Sequence, residues 1–272
     1  MKDKISLAGD LGSGKSTVSD ILIPRLGAEY YSTGAIVRSI AEKHGMTVGE
    51  LNVYMETHPE IDYEIDDGLR ALSAVDKFLI IDSRMAWHFT EGTFKVYLST
   101  DIETSALRIM NANRRGEHNS TLEETIAATR GRRESEKKRY REQYGVDIKD
   151  LTNYSLIVDT TNATPDEVAE RIISAFNVWQ SDKTFSAAYI SPERLNYPER
   201  EADNALVSAL SEKLEAGESI PEVTVFEQDG EFYIAGGLES ALAYSFNMSL
   251  FIPARLISGE PVGEYVKMKN SL

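Results

Sequence analysis

The stretch "SLAGDLGSGKSTVSD" at residues 6–20 constrains this chain more than any other. Gly9, Gly14, Lys15 and Ser16 satisfy the pattern G-x-x-x-x-G-K-[ST]; an apolar run precedes them and a helix-forming run follows. That order demands a strand, a tight phosphate-cradling loop and a helix in succession. Gly9, Gly12, Ser13 and Gly14 are expected to turn backbone N–H groups toward phosphate oxygens, and the next helix adds its positive N-terminal dipole. Lys15 is expected on the β- and γ-phosphates and Ser16 on Mg²⁺, with Thr17 completing the set. Asp10 sits oddly in such a loop, because a carboxylate near phosphates must point away. The motif speaks for a nucleotide and leaves the acceptor open.

Over the first 176 residues, strand-like and helix-like segments alternate. "ISLAG" (5–9), "AEYYST" (28–33), "KFLIIDSR" (77–84), "FKVYLST" (94–100) and "YSLIVDTT" (154–161) read as strands. Several are apolar on both faces, as in a covered parallel sheet. Ile61, Ile65, Leu69 and Leu72 fall three or four apart, which puts an apolar stripe on one face of a helix. Such alternation implies an α/β fold with right-handed crossovers. The texture changes near residue 180. Pro192 and Pro198 interrupt the periodicity, and "NALVSALSEKLEAG" reads as a short amphipathic helix ending at Gly217. Asp229-Gly230, between "EVTVFEQ" and "EFYIAGG", predicts a hairpin. Two domains are therefore expected, 1–180 and 183–272.

Composition narrows the classes. A hydrophobic content of 42% with 27% charged residues describes an ordinary soluble globular protein. No apolar run approaches the roughly 20 residues that span a bilayer, and "MKDKISLAG" carries no cleavable signal. A cytoplasmic protein with no membrane partner is expected. The absence of cysteine excludes disulfides and thiolate zinc sites. A net charge of −15 argues against a nucleic-acid partner. His44, His58, His88 and His118 have no metal-ligand spacing.

Three further stretches bear on the acceptor. "YSTGAIVRSIAEKHGMTVGEL" offers Ser32, Thr33 and Gly34 at a helix start, with Arg38 one turn in. "LIIDSRMAW" ends the third strand with Asp82 and Arg84, where active groups collect in parallel sheets. "ETIAATRGRRESEKKRYREQYG" is a basic helix in an acidic protein. Arg132, Glu136 and Arg139 share one face of it, and Arg133 is turned about 100° away. Gly131 inside that helix costs about 1 kcal/mol relative to Ala and marks either a hinge or a weak point.

Together with "HPEIDYEID", "RESEKKRYREQYGVDIKDLTNYSLIVDTT" and "TPDEVAERI", these segments resemble the nucleoside monophosphate kinases, most closely the short cytidylate kinases, over about residues 4–176. The resemblance implies a P-loop NTPase-type five-stranded parallel sheet, an acceptor-binding helical insert at roughly 34–72 and a lid at roughly 110–140. It implies transfer of the ATP γ-phosphoryl group to a pyrimidine nucleoside monophosphate, CMP or dCMP first and UMP next. By matching position, Arg38 and Arg84 would grip the acceptor phosphate beside Ser32 and Gly34, and Asp82 would orient the Mg²⁺ shell. Arg132 and Arg139 would close over the transferring group, and "DTTNATP" (159–165) falls where the family packs adenine. Two departures stand out. "DSR" replaces the family's "EGR", so Ser83 stands for a glycine, and Arg133 occupies an ordinarily acidic position. Arg114 and Arg115 in the lid loop have no aligned counterpart.

Residues 186–259 resemble, more loosely, the ParB/sulfiredoxin-like α+β fold. Active members carry His and Arg after the hairpin, where this chain has Gly236, Gly237, Leu238, Glu239 and Ser240. Residues 183–272 hold seven Lys or Arg against fourteen Asp or Glu, a poor surface for DNA. A non-catalytic module for docking, regulation or homo-oligomerisation is expected. Two other readings stay open: a nucleotide sensor or scaffold with little turnover, and a kinase of a non-nucleotide metabolite, favoured by an acceptor pocket too small for a base.

Overall fold

The computed structural model describes residues 3–112 and 121–268. The first part runs β1 (Lys4–Gly9), α1 (Lys15–Leu26), β2 (Glu29–Ser32), α2 (Thr33–Lys43), α3 (Val48–Met55), α4 (Glu60–Ala71), β3 (Leu79–Asp82), α5 (Ala86–Phe89), β4 (Thr93–Ser99), α6 (Ile102–Asn111), α7 (Leu122–Tyr144), β5 (Leu156–Asp159) and α8 (Pro165–Ser181). It is followed by β6 (Ala187–Ile190), β7 (Leu195–Pro198), α9 (Asn204–Glu215), β8 (Val223–Gln228), β9 (Glu231–Gly236), α10 (Leu238–Phe246), β10 (Ile252–Leu256) and β11 (Tyr265–Lys267).

β2, β3, β1, β4 and β5 lie side by side, every pair parallel. β1, β3 and β5 are buried along their whole length, which is why their sequences read as unbroken apolar runs rather than alternating ones. Val18 and Leu22 of α1 and Val168, Ile172 and Phe176 of α8 cover one face, against Ile5, Phe94, Val96 and Leu98. Each such side chain contributes about 1.5–3 kcal/mol by leaving water. α2, α3 and α4 enclose a small core of their own around Leu51 and Met55, and they occupy the span expected of the helical insert.

The sheet does not stop at β5. β6 adds in parallel to β5, and the order continues β10, β8, β9, β7, β11, giving one sheet of eleven strands. The sequence reading assigns no strand to residues 187–190. In the fold Ala188 and Ile190 are fully buried, and Tyr97, Tyr154 and Ile157 share a core with Ile190, Val225 and Phe232. The two ends of the chain are therefore continuous in hydrogen bonding and in packing. The expected hairpin is β8–β9, with Asp229 at φ 53° and Gly230 at φ 88°. Both central residues are left-handed, the type I′ geometry that suits the strand twist.

Candidate active site

The phosphate loop joins β1 to α1. Gly14 caps α1 at φ 85°, and a Cβ there would meet no atom within 4 Å, so the space above the helix N-terminus is open. Gly9 and Gly12 have a different reason. A Cβ on Gly9 would lie 2.4 Å from Leu98 O, and one on Gly12 2.5 Å from Ser105 O. These two positions exclude side chains because β4 and α6 pack against the loop, a steric demand separate from the turning of backbone N–H groups that the motif predicts. Ser13 is buried, its hydroxyl donating to Asp10 O at 2.8 Å, and Thr17 is exposed on the first turn of α1.

Asp10 does point away. Its carboxylate accepts from Tyr97 OH (2.9 Å), Thr100 N (3.1 Å) and Lys149 Nζ (2.5 Å), with Arg133 at 3.4 Å. Burial opposes its ionisation, but Lys149 and Arg133 outweigh that and hold the group well below the usual carboxylate range. The odd residue of the motif thus staples the loop to β4 and to the segment after α7. It also accounts for Arg133, whose side of α7 faces Asp10 and not the cleft that holds Lys15.

Lys15 Nζ donates to Gly9 O (3.1 Å) and Asp10 O (2.8 Å). Burial, and then the Arg84 charge, lower its pKa to about 7. Arg84 reaches back from the end of β3: NH1 donates to Gly9 O at 2.6 Å and Nε to Glu136 at 2.9 Å. The other oxygen of Glu136 takes Arg132 Nε at 3.0 Å. Burial raises the Glu136 pKa, yet Arg84 and Arg132 prevail and hold it at about 2. Asp82 accepts from Tyr30 OH at 2.9 Å, and that hydroxyl also reaches the Ser16 side chain. Ser83 lends its hydroxyl to Met85 N at 3.2 Å.

Ser32 caps α2 by accepting from Ala35 N at 3.3 Å, so the expected helix start is present and Arg38 follows one turn in. Lys15, Ser16, Ser32, Gly34, Arg38, Asp82, Arg84, Arg132 and Arg139 all line one narrow cleft of about 110 Å³. Arg139 is the exception to its expected posture. It is buried, pairs with Asp62 at 2.8 Å and donates to Asn52 O at 3.1 Å, so here it ties α7 to the insert instead of reaching freely over the loop. Arg114, Arg115 and His118 lie outside the described residues.

The sequence reading missed Asp62 and Asp66, which also line the cleft. They stand four apart on α4, on one face; the segment "HPEIDYEID" that holds them enters the sequence reading through its apolar stripe and the resemblance, with no role given to either carboxylate. Burial raises the Asp66 pKa to about 6 even though the Tyr144 hydroxyl donates to it. A second and larger cavity, about 800 Å³, lies on the Arg133 side of α7, between Lys149, Tyr154 and residues 227–231. It does not contain Lys15, Arg38 or Asp82.

α7 runs unbroken through Gly131, where an added Cβ would meet no atom within 4 Å. Gly131→Ala should therefore stabilise the protein by about 1 kcal/mol and raise Tm by roughly 2–4 °C, with kcat unchanged. A fall in kcat would show that the position is a hinge instead.

Among the described residues no helix is long and apolar enough to cross a membrane. No group of three or more His, Asp or Glu side chains is placed there to hold a metal ion.

A glycine-bounded loop capping α1, a parallel sheet behind it and cationic side chains converging in front define a P-loop phosphotransferase. The family model described as an AAA domain matches residues 5–142, and the chain belongs to that family. Among known proteins it is 37% identical over 175 residues to a cytidylate kinase of Thermoplasma volcanium, covering 63% of this chain and 90% of that enzyme. A cytidylate kinase of Thermoplasma acidophilum is 35% identical over 170 residues, 61% of this chain and 88% of the enzyme. An S-adenosylmethionine-dependent nucleotide dehydratase of Lacinutrix mariniflava is 37% identical over 177 residues, 65% of this chain, but the chain spans only 36% of that protein's length. The protein is accordingly a kinase, a transferase related to the cytidylate kinases.

Proposed function

We propose that the protein transfers the γ-phosphoryl group of ATP to CMP or dCMP. The observation that carries this reading is the convergence of Lys15, Arg38, Arg84 and Arg132 on one cleft at the N-terminus of α1. Phosphoryl transfer asks for positioning and charge neutralisation more than for acid–base groups, and the cleft supplies cations from four separate elements. Arg38 and Arg84 suit bidentate binding of the acceptor phosphate. Ser16 and Asp82 offer hydroxyl and carboxylate oxygens beside one shared tyrosine hydroxyl, hard donors of the kind Mg²⁺ takes. Bound there, Mg²⁺ would neutralise charge on the β- and γ-phosphate oxygens.

The base preference rests on α4. Carboxylates accept a hydrogen bond from the exocyclic amino group of cytosine, and Asp62 and Asp66 are the buried carboxylates that the insert brings to the cleft, apart from Asp82 and Glu136 beside Lys15 and Arg84. Uracil presents a carbonyl at that position and would face repulsion. One observation favours a second reading, a smaller non-nucleotide acceptor: 110 Å³ is well under the roughly 300–1,000 Å³ of small-molecule sites. Contacts between α7 and the insert account for the narrowness. Ser135 and Lys138 bond Glu56, Tyr144 bonds Asp66 and Arg139 bonds Asp62, so a nucleotide enters only when the insert swings away from α7.

We further assign residues 183–272 to a ParB/sulfiredoxin-like domain without chemistry of its own, available for self-association. Arg200 forms a double hydrogen bond with Glu239 in the first turn of α10, filling with an internal carboxylate the place where active members hold phosphate.

The test is ATP-to-ADP turnover with Mg²⁺ and CMP, dCMP, UMP, dUMP, AMP, GMP or TMP, against a control without acceptor. Stimulation by CMP or dCMP well above UMP is expected; no stimulation by any acceptor would favour the sensor reading. Arg84→Ala should lower kcat/KM at least about tenfold, on the order of 1.4 kcal/mol, and normal kinetics would remove Arg84 from the acceptor grip.

A further inference from the structure

Arg194 lies beyond the kinase-like segment, just before β7, yet it is buried and faces β5. NH1 donates to Asp159 at 3.4 Å and to Thr161 Oγ1 at 3.1 Å, and NH2 donates to Gly230 O at the β8–β9 turn at 2.6 Å. Ser191 N donates to the other oxygen of Asp159 at 3.1 Å. Asn162 Nδ2 reaches Glu193 at 2.8 Å and Ser191 Oγ at 3.3 Å. Residues 191–194 therefore hold each of Asp159, Thr161 and Asn162 through side chains or backbone.

The segment so held is connected directly to the phosphate loop. Thr160 Oγ1 donates to Ser13 O at 3.1 Å, and Thr161 Oγ1 accepts from Asp101 N at the start of α6 at 3.2 Å. Arg108 of α6 closes the circuit by donating to Thr160 O at 2.7 Å. A displacement of residues 159–162 would thus be felt by the loop that carries Gly12, Ser13 and Gly14. In an isolated five-stranded kinase core this segment would follow an edge strand. Here it is covered by a strand and an arginine from the C-terminal part.

We propose that Arg194 is a positioning residue for the donor nucleotide: the C-terminal part uses it to fix residues 159–162, and with them the base-side wall of the ATP site. This rests on the reading that residues 159–165 receive the adenine of ATP. It gives the C-terminal part a role in the reaction without requiring it to hold a reacting group. Arginine suits the task because its planar fork serves a carboxylate, a hydroxyl and a carbonyl at once, which a lysine ammonium cannot do with the same geometry.

The experiment is equilibrium binding of ADP and ATP to the full chain by calorimetry, followed by steady-state kinetics. The variants are Arg194→Lys and Arg194→Gln. The lysine keeps a cation opposite Asp159, so no lone buried ion is left to unfold that variant, while it loses the planar fork. Both variants should weaken ADP and ATP binding and raise KM for ATP about tenfold or more, as expected for loss of charge-assisted hydrogen bonds. KM for the acceptor and kcat should stay within about twofold of wild type. A purely structural arginine would lower Tm and the active fraction while leaving KM for ATP unchanged, and that result would overturn the proposal. Failure of the wild-type chain to bind ATP or ADP would instead overturn the reading of residues 159–165, and this inference with it. Tight wild-type binding that both variants retain would overturn the inference alone.

Discussion

Lys15→Ala should reduce kcat/KM by about 10²–10³-fold and also abolish a pH dependence of ATP binding that is expected of the wild-type protein. In the free protein the ammonium is folded back on Gly9 O and Asp10 O, and burial with the nearby Arg84 charge brings its pKa to about 7. Phosphate oxygens placed against that group favour its charged form, so its pKa rises when ATP binds. Binding above neutral pH therefore takes up a proton. The affinity is fully developed below about pH 7 and falls by up to tenfold per pH unit above it, until the bound-state pKa is reached. Titrations by calorimetry from about pH 6 to about pH 9, in two buffers of different ionisation enthalpy, read both the affinity and the proton uptake. Lys15→Ala reports the ligand's own titration and serves as the baseline. Identical slopes for the two proteins would mean that Lys15 does not titrate in this range.

The parts of this site that could be read from the sequence are those set by local rules. The phosphate loop, the Ser32 cap, the shared face of Arg132, Glu136 and Arg139, and the Asp229-Gly230 turn each depend on a few adjacent residues, and each occupies its expected position. The rest depends on partners far apart in the chain. Asp10 announced that it must turn away, but its partner Lys149 is 139 positions on. Gly9 matched the motif and Gly12 fell inside it, yet what forbids a side chain at either is backbone of β4 and α6, which no local pattern reveals. Ala187–Ile190 has too short and too small an apolar pattern to proclaim a strand; it became one because β5 offered a free edge and Ala188 and Ile190 a face to bury. Arg194 carried no signal at all in the sequence. A buried arginine looks like any other until the carboxylate it serves is located.

Glu136 offers the sharpest separation between structural and chemical roles. It is the only carboxylate among the described residues bonded to both Arg84 and Arg132, and the pair of guanidiniums would otherwise repel across the mouth of the cleft. Glu136→Ala should therefore destabilise the protein by about 2–4 kcal/mol, less than a wholly buried pair because both arginines retain some contact with solvent. That corresponds to a fall in Tm of roughly 4–16 °C. The sign of the pH dependence follows from a folded-state pKa of about 2 against an ordinary value of 4.5. The contribution is complete above about pH 4.5 and is lost as pH falls through 2, so wild type and variant should converge in acid. The variant leaves a stronger anion site behind. Inorganic phosphate should accordingly raise its Tm more than that of wild type, because a ligand that binds only the folded state stabilises it in proportion to its affinity. Thermal scans with and without phosphate test both parts. An unchanged Tm would show that Arg84 and Arg132 hold each other apart without Glu136, and an equal phosphate response would show that their charges were never restrained by it.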